Sequence, residues 1–119
     1  MDTYTTSAAV LAELPQTPPA SVQALIAGWI TEESQVVDTW LPNYLVPFND
    51  ITTNPYPTPA IIERITRFLV LDRVFRNIGL LRYDEAGRVV DSYKVEAERL
   101  LRQLRDGELV IPAGQLPPA

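Results

Sequence analysis

The hydrophobic positions of this chain repeat at helical spacing over three long stretches and one short one. Ser7 to Leu14 is a short helix candidate, with Thr5 or Thr6 as N-cap and Pro15 as its end. Thr17-Pro18-Pro19 then reads as a second start, with Thr17 as cap and Pro18 at the first helical position. From there Val22, Leu25, Ile26, Trp29, Ile30, Val36, Val37, Trp40 and Leu41 recur on one face, which predicts a helix from about Pro18 to Leu41, closed by Pro42. Glu33 falls on that stripe and interrupts it.

Thr58 and Pro59 give the same cap-and-proline start to the next helix. Its Ile61, Ile62, Ile65, Phe68, Leu69, Leu71, Val74, Phe75 and Ile78 cover more than one face, the mark of a central helix. Gly79 ends it, and residues 80–88 connect it onward through an Asp84-Glu85-Ala86-Gly87 turn. The last long helix starts between Val89 and Asp91, with Val90, Tyr93, Ala97, Leu100, Leu101 and Leu104 as its stripe. Gly107 is its stop. Trp29, Ile65, Phe68 and Leu101 are the candidate core.

Two apolar segments fall outside the helical pattern. Asn43 to Pro57 is rich in turn formers, yet it holds Tyr44, Phe48, Ile51 and Tyr56. Those side chains either fold back over the domain's own core or pack on a neighbouring copy or partner. After Gly107, residues 108–119 read as an extended tail in which Leu109, Val110, Ile111 and Leu116 follow with no charge after Glu108. The tail either packs back across the helices or docks on a partner. The fold class is therefore all-α: a small bundle of three main helices plus a short N-terminal one, with a long proline-rich loop and the extended tail.

A chain of 119 residues is one domain, 1–119, with a helical body over 1–107. That length buries very roughly two-thirds of the unfolded surface. No apolar run, Phe68 to Leu71 included, is nearly long enough to span a bilayer, and MDTYTT has no basic n-region, so the chain reads as soluble and not secreted by the usual route. It has no cysteine and no histidine, which removes disulfides, Cys/His metal sites and every imidazole-dependent triad. No cofactor motif is present either. Among carboxylates, Asp72 lies on the apolar face of the central helix. It reads as half of an ion pair with Arg76, within the helix or to a neighbour. A hydrolase built on Asp72 and Glu63 is the enzymatic reading, and nine positions of helix set those groups about 13 Å apart.

Charge is segregated. Residues 1–63 hold no Lys or Arg and carry −7, whereas residues 64–119 carry +2. There is no basic stripe with interleaved aromatics, so sequence-specific DNA binding is not expected. The acidic half reads either as a solvated face or as a surface that faces DNA without holding it or meets a basic partner.

The order of these segments resembles the head–tail connector proteins of tailed bacteriophages, also called head completion or adaptor proteins, including the Mu-like prophage connector family. The resemblance rests on Tyr4-Thr5-Thr6 before a short helix, then Val36-Val37-Asp38-Thr39-Trp40-Leu41 followed by Tyr44 and Pro47. It continues with Pro57-Thr58-Pro59, Arg73 to Arg76, and Leu100 to Leu104 with Gly107 and Leu109. The chain departs from the family pattern at Asn43-Tyr44, where an Arg is expected before the Tyr. The resemblance implies a structural virion protein without chemistry, assembled in the host cytoplasm and resident in the virion neck. It implies a ring, commonly dodecameric, that docks beneath the portal protein, extends the DNA channel and receives the next neck or tail-completion protein. In such a ring Tyr44, Phe48, Ile51, Tyr56, Asp72 and Arg76 are the candidate subunit interface, and Leu109, Val110, Ile111 and Leu116 the portal-docking tail. The alternative class is a small helical protein-binding regulator, anti-repressor-like and equally non-catalytic.

Overall fold

The computed structural model describes residues 3–14, 17–42, 44, 58–78, 82–83, 89–90 and 93–111, with backbone alone at 78, 82–83 and 89–90. It shows four helices, α1 (Ser7–Ala12), α2 (Ala20–Trp40), α3 (Ala60–Ile78) and α4 (Tyr93–Asp106), and one short antiparallel ribbon, β1 (Arg82–Tyr83) with β2 (Val89–Val90). The fold is all-α, as the periodicity predicts.

Helix starts follow the local chemistry, with one correction. Thr6 caps α1: its hydroxyl accepts the Ala9 amide at 3.1 Å. Thr17 does not cap α2. That helix begins at Ala20, and its N-cap, Pro19, makes no side-chain capping bond. The reason lies in the proline pair, because a residue preceding proline is disfavoured in the helical region, so Pro18 is held out of the helix by Pro19. The Pro19 carbonyl accepts the Val22 and Gln23 amides, both at 3.0 Å, and the Gln23 side chain donates back to the Pro18 carbonyl at 2.8 Å. Helix α3 opens in the same way one residue later than expected: the Pro59 carbonyl accepts the Ile62 and Glu63 amides at 3.0 and 3.1 Å. In both cases the missing proline N–H sits where no intrahelical partner exists.

Helix α3 is central, as its wide apolar coverage predicts. Its Ile62, Ile65, Val70, Leu71 and Val74 are fully buried. One core cluster joins Val37 and Leu41 of α2 to Ile62, Ile65 and Leu69 of α3 and to Ala97, Leu101 and Leu104 of α4. A second joins Val22, Ile26 and Ile30 of α2 to Val70, Leu71 and Val74 of α3, with Val10 of α1. The early half of α2 thus meets the late half of α3, so the two helices run antiparallel. Each fully buried Leu, Ile or Val contributes about 1.5–3 kcal/mol relative to exposure.

Two of the four expected core residues are in place and two are not. Ile65 and Leu101 have no exposed surface, whereas Trp29 and Phe68 are only half-buried. Phe68 lies at the seam where both clusters meet. Its ring packs 5.1 Å from that of Tyr93, and the guanidinium of Arg64 lies 5.4 Å from its centroid. A large ring with charged neighbours fills a seam without being sealed by it.

The last helix also starts later than the periodicity suggests. Val89 and Val90 pair with Tyr83 and Arg82 in the ribbon, so Val90 is not part of the helical stripe and α4 begins at Tyr93. Paired β-branched residues suit an extended ribbon better than a first helical turn. The expected Gly79 stop and the turn over 84–87 lie outside the described residues. At the other end Gly107 takes φ +82°, a left-handed conformation that glycine adopts without the Cβ penalty. The chain then doubles back, and the Leu109 amide donates to the Gln103 carbonyl at 3.1 Å.

Candidate partner-binding surface

The N-terminal Tyr4-Thr5-Thr6 run, one of the segments that carries the family resemblance, is a clip with a separate role for each residue. Tyr4 is 2% exposed; its amide donates to Ser34 Oγ at 3.1 Å and its hydroxyl to Asp38 Oδ1 at 2.5 Å, both on α2. Thr5 donates to Glu63 Oε2 on α3 at 2.6 Å. Thr6 caps α1. Tyr4 and Thr5 thereby fasten this segment to two helices far apart in sequence, while Thr6 starts the next helix.

The charge segregation seen along the sequence becomes pairing between elements. Glu13 pairs with Arg67, which also sits 3.3 Å from Glu63. Arg73 is gripped by Glu32 and Glu33, each at 2.5 Å. Burial alone would lower the Arg73 pKa; its hydrogen bonds to Glu32 and Glu33 outweigh that and hold it above the ordinary value. Of the acidic residues in the first half, Glu13, Glu32, Glu33 and Glu63 face arginines of α3, and Asp38 takes the Tyr4 hydroxyl. Four of the seven acidic side chains of the first half are therefore engaged by two arginines, Arg67 and Arg73, so part of that charge is paired within the fold rather than spread as a bare acidic face. Glu33 explains its own interruption of the apolar stripe: it is buried because it faces Arg73.

The expected interface residues fall in different places. Tyr44 is half-buried against the first core cluster and its amide donates to the Leu41 carbonyl at 3.2 Å, so this part of the loop folds back. Phe48, Ile51 and Tyr56 lie outside the described residues. Asp72 is buried and its Oδ2 accepts from Arg76 Nε at 2.7 Å, the within-helix pair expected from the spacing. Glu63 and Asp72 have different partners, and their nine-position separation is wider than the gap of about 5–9.5 Å across which carboxylate pairs work. In the tail, Leu109 is half-buried on the first cluster, Val110 is 68% exposed and Ile111 is 3% exposed. The first part of the expected tail, through Ile111, therefore packs back on the domain's own helices, and Leu116 lies outside the described residues.

Sequence reading missed a groove between α2 and α4 whose floor is α3. Glu33, Val36 and Trp40 form one wall, Lys94 and Glu98 the other, and Leu69, Asp72, Arg73 and Arg76 the floor, enclosing about 350 Å³. Trp40 continues into a smaller recess of about 250 Å³ with Thr39, Pro42 and Arg105. The Arg105 guanidinium lies 5.2 Å from the Trp40 ring centroid. The pattern gave no separate sign of it, since Val36 and Trp40 belong to the apolar stripe of α2; Val36 stays 37% exposed and Trp40 packs half-buried at the edge of the first cluster. Among the described residues no group of acidic, His or Cys side chains is placed to hold a metal, and no helix is long and apolar enough to cross a membrane. Compared with protein-family models, with curated proteins and with solved structures, the chain matches none.

Proposed function

We propose that this chain is a structural assembly protein of the phage head–tail connector type. It forms a ring beneath the portal, lets DNA pass without sequence-specific binding, and presents a surface to the next neck or tail-completion protein. One observation carries the reading: Tyr4 of the first resembling segment bonds directly to Asp38 of the second. Two of the segments that carry the resemblance are thus joined in three dimensions on an all-helical body, and the sequence adds an apolar loop and a proline-rich tail suited to contacts outside it. The interface between copies uses Phe48, Ile51 and Tyr56 of the loop, and the portal-docking tail uses the residues beyond Ile111.

The test is negative-stain microscopy of the protein mixed with the portal protein encoded beside it. A ring on the portal is the expected result, and a chain lacking residues 49–55 is expected to stay folded and fail to assemble. If no ring forms with the intact chain, and the neighbouring genes encode a repressor cassette rather than portal and capsid, the regulator reading replaces this one.

A further inference from the structure

We infer that the outer face of α2 over positions 20–31 is a contact between two copies of this chain, paired antiparallel about a two-fold axis. No charged residue occurs between Glu13 and Glu32, so the side chains this face exposes, Ala24, Leu25, Ala27 and Thr31 among them, carry no charge. Leu25 is 48% exposed, and Trp29 stays half-buried at the edge of the second cluster. The opposite side of the same turns is taken up by the core through Val22, Ile26 and Ile30. Helix α4 shows the ordinary pattern, with Lys94, Arg99, Arg102, Arg105 and Asp106 exposed. A solvent face that carries charge throughout one helix and none over about three turns of another marks the second for contact.

Shape and charge both select a second copy as the occupant. A Cβ added at Gly28 meets nothing within 4 Å, so the face has a hollow there beside the Leu25 knob. With the two-fold axis midway between positions 26 and 27, Leu25 of each copy lies over Gly28 of the other and Trp29 over Ala24, large over small in every contact. Glycine and alanine at the crossing let the helix axes approach to about 8 Å. Ser21 falls opposite Glu32, which Arg73 already holds, so no like charges meet. That matters for a chain of net charge −5, whose charged faces repel one another. One helix face supplies less than the roughly 800 Å² per partner of a standard interface, so the pairing is weak and reversible. A two-fold contact cannot serve as the head-to-tail contact of a cyclic ring, so this face belongs to the free chain and the ring reading stands or falls separately.

The experiment is sedimentation equilibrium of the full chain from micromolar to millimolar concentration, where a monomer–dimer equilibrium is expected. Gly28→Leu builds into open space in the monomer and fills the hollow, so it is expected to weaken dimerisation at least about tenfold with the helical circular dichroism unchanged. Leu25→Gly removes the knob and is expected to do the same. The double variant, Leu25→Gly with Gly28→Leu, exchanges knob and hollow, which the two-fold register accepts, and is expected to dimerise again. The chain has no cysteine, so one spin label on Gln35→Cys reads the helix direction. The two labels are expected about 26 Å apart along the helix axis for the antiparallel register, against about 10 Å for parallel helices. A chain that stays monomeric over the whole range overturns the inference. So does association that Gly28→Leu leaves intact, a double variant that does not recover, or labels at the parallel spacing.

Discussion

The Tyr4 hydroxyl donates a 2.5 Å hydrogen bond to Asp38 Oδ1 across thirty-four residues of sequence, while the Tyr4 ring is almost wholly buried in the first core cluster. One side chain thus fastens the chain start to the last turns of α2 by packing and by a charge-assisted bond.

Tyr4→Phe keeps the ring and removes the bond. It is expected to cost about 1–2 kcal/mol, the range for a hydrogen bond to a charged, partly solvated acceptor. Tyr4→Ala should cost about 3–5 kcal/mol, because it also empties a buried ring site. Urea unfolding of the two variants is the check, and equal losses would show that the hydroxyl contributes nothing.

Arg73 holds two glutamates of unlike burial: the Glu33 side chain is 10% exposed and that of Glu32 59%. Solvent screens the second pair far more than the first. Double-mutant cycles should give a coupling below about 0.5 kcal/mol for Glu32 with Arg73, and above about 1 kcal/mol for Glu33 with Arg73. The reverse order would mean that the exposed glutamate is the true partner.

Two glycines are expected to respond in opposite directions. Gly107 sits at φ +82°, where a Cβ is strained, so Gly107→Ala should destabilise by about 1–2 kcal/mol. Gly28 lies inside α2 with nothing within 4 Å of an added Cβ, so Gly28→Ala should stabilise by about 0.5–1 kcal/mol. Thermal melts of both variants decide this, and a loss at Gly28 would mean that another surface approaches the helix there.

Shortening the chain at two points separates core from tail. A chain ending at Gly107 loses Leu109 and Ile111 from the first cluster and should lose about 2–5 kcal/mol, as for deleting a buried Ile. A chain ending at Ile111 should keep its melting transition within a few degrees. If both melt alike, Ile111 is not part of the core in solution.

The Glu96 carboxyl is held below the usual carboxylate range by its hydrogen bond to Arg99. A depressed carboxylate contributes stability above its unfolded pKa and loses it as pH falls through the folded one. Both groups lie at the surface, so the expected effect is small and confined to the acid side. Glu96→Gln should therefore match the parent's melting temperature at low pH and fall slightly below it near neutrality. A deficit that persists at low pH would assign the loss to something other than this ion pair.

What the sequence determined by itself is the set of helices and their ranking. Apolar side chains at helical spacing must be buried on one face, so the stripe in α2 and the wider coverage of α3 announced a flanking and a central helix without knowledge of their partners. Thr6 and Gly107 marked helix ends because capping and left-handed backbone are local chemistry. The Asp72–Arg76 pair was legible for the same reason, one helical turn being fixed by spacing alone. The tertiary structure decided everything that depends on which surfaces meet. Glu33 looked like a flaw in a stripe until Arg73, forty residues on, was brought opposite it. Glu13, Glu32, Glu33 and Glu63 looked like part of an open acidic face until Arg67 and Arg73 of α3 were folded against them. Phe68 looked like core until the seam between clusters left its ring half covered, Trp29 until it came to lie at the edge of the second cluster, and Val90 looked helical until it paired with Arg82. The groove beside Trp40 exists only because α2 and α4 stand apart over α3. Local patterns fix dihedral angles and faces, whereas partners, seams and grooves are set by the packing of distant segments, which no single stretch of sequence encodes.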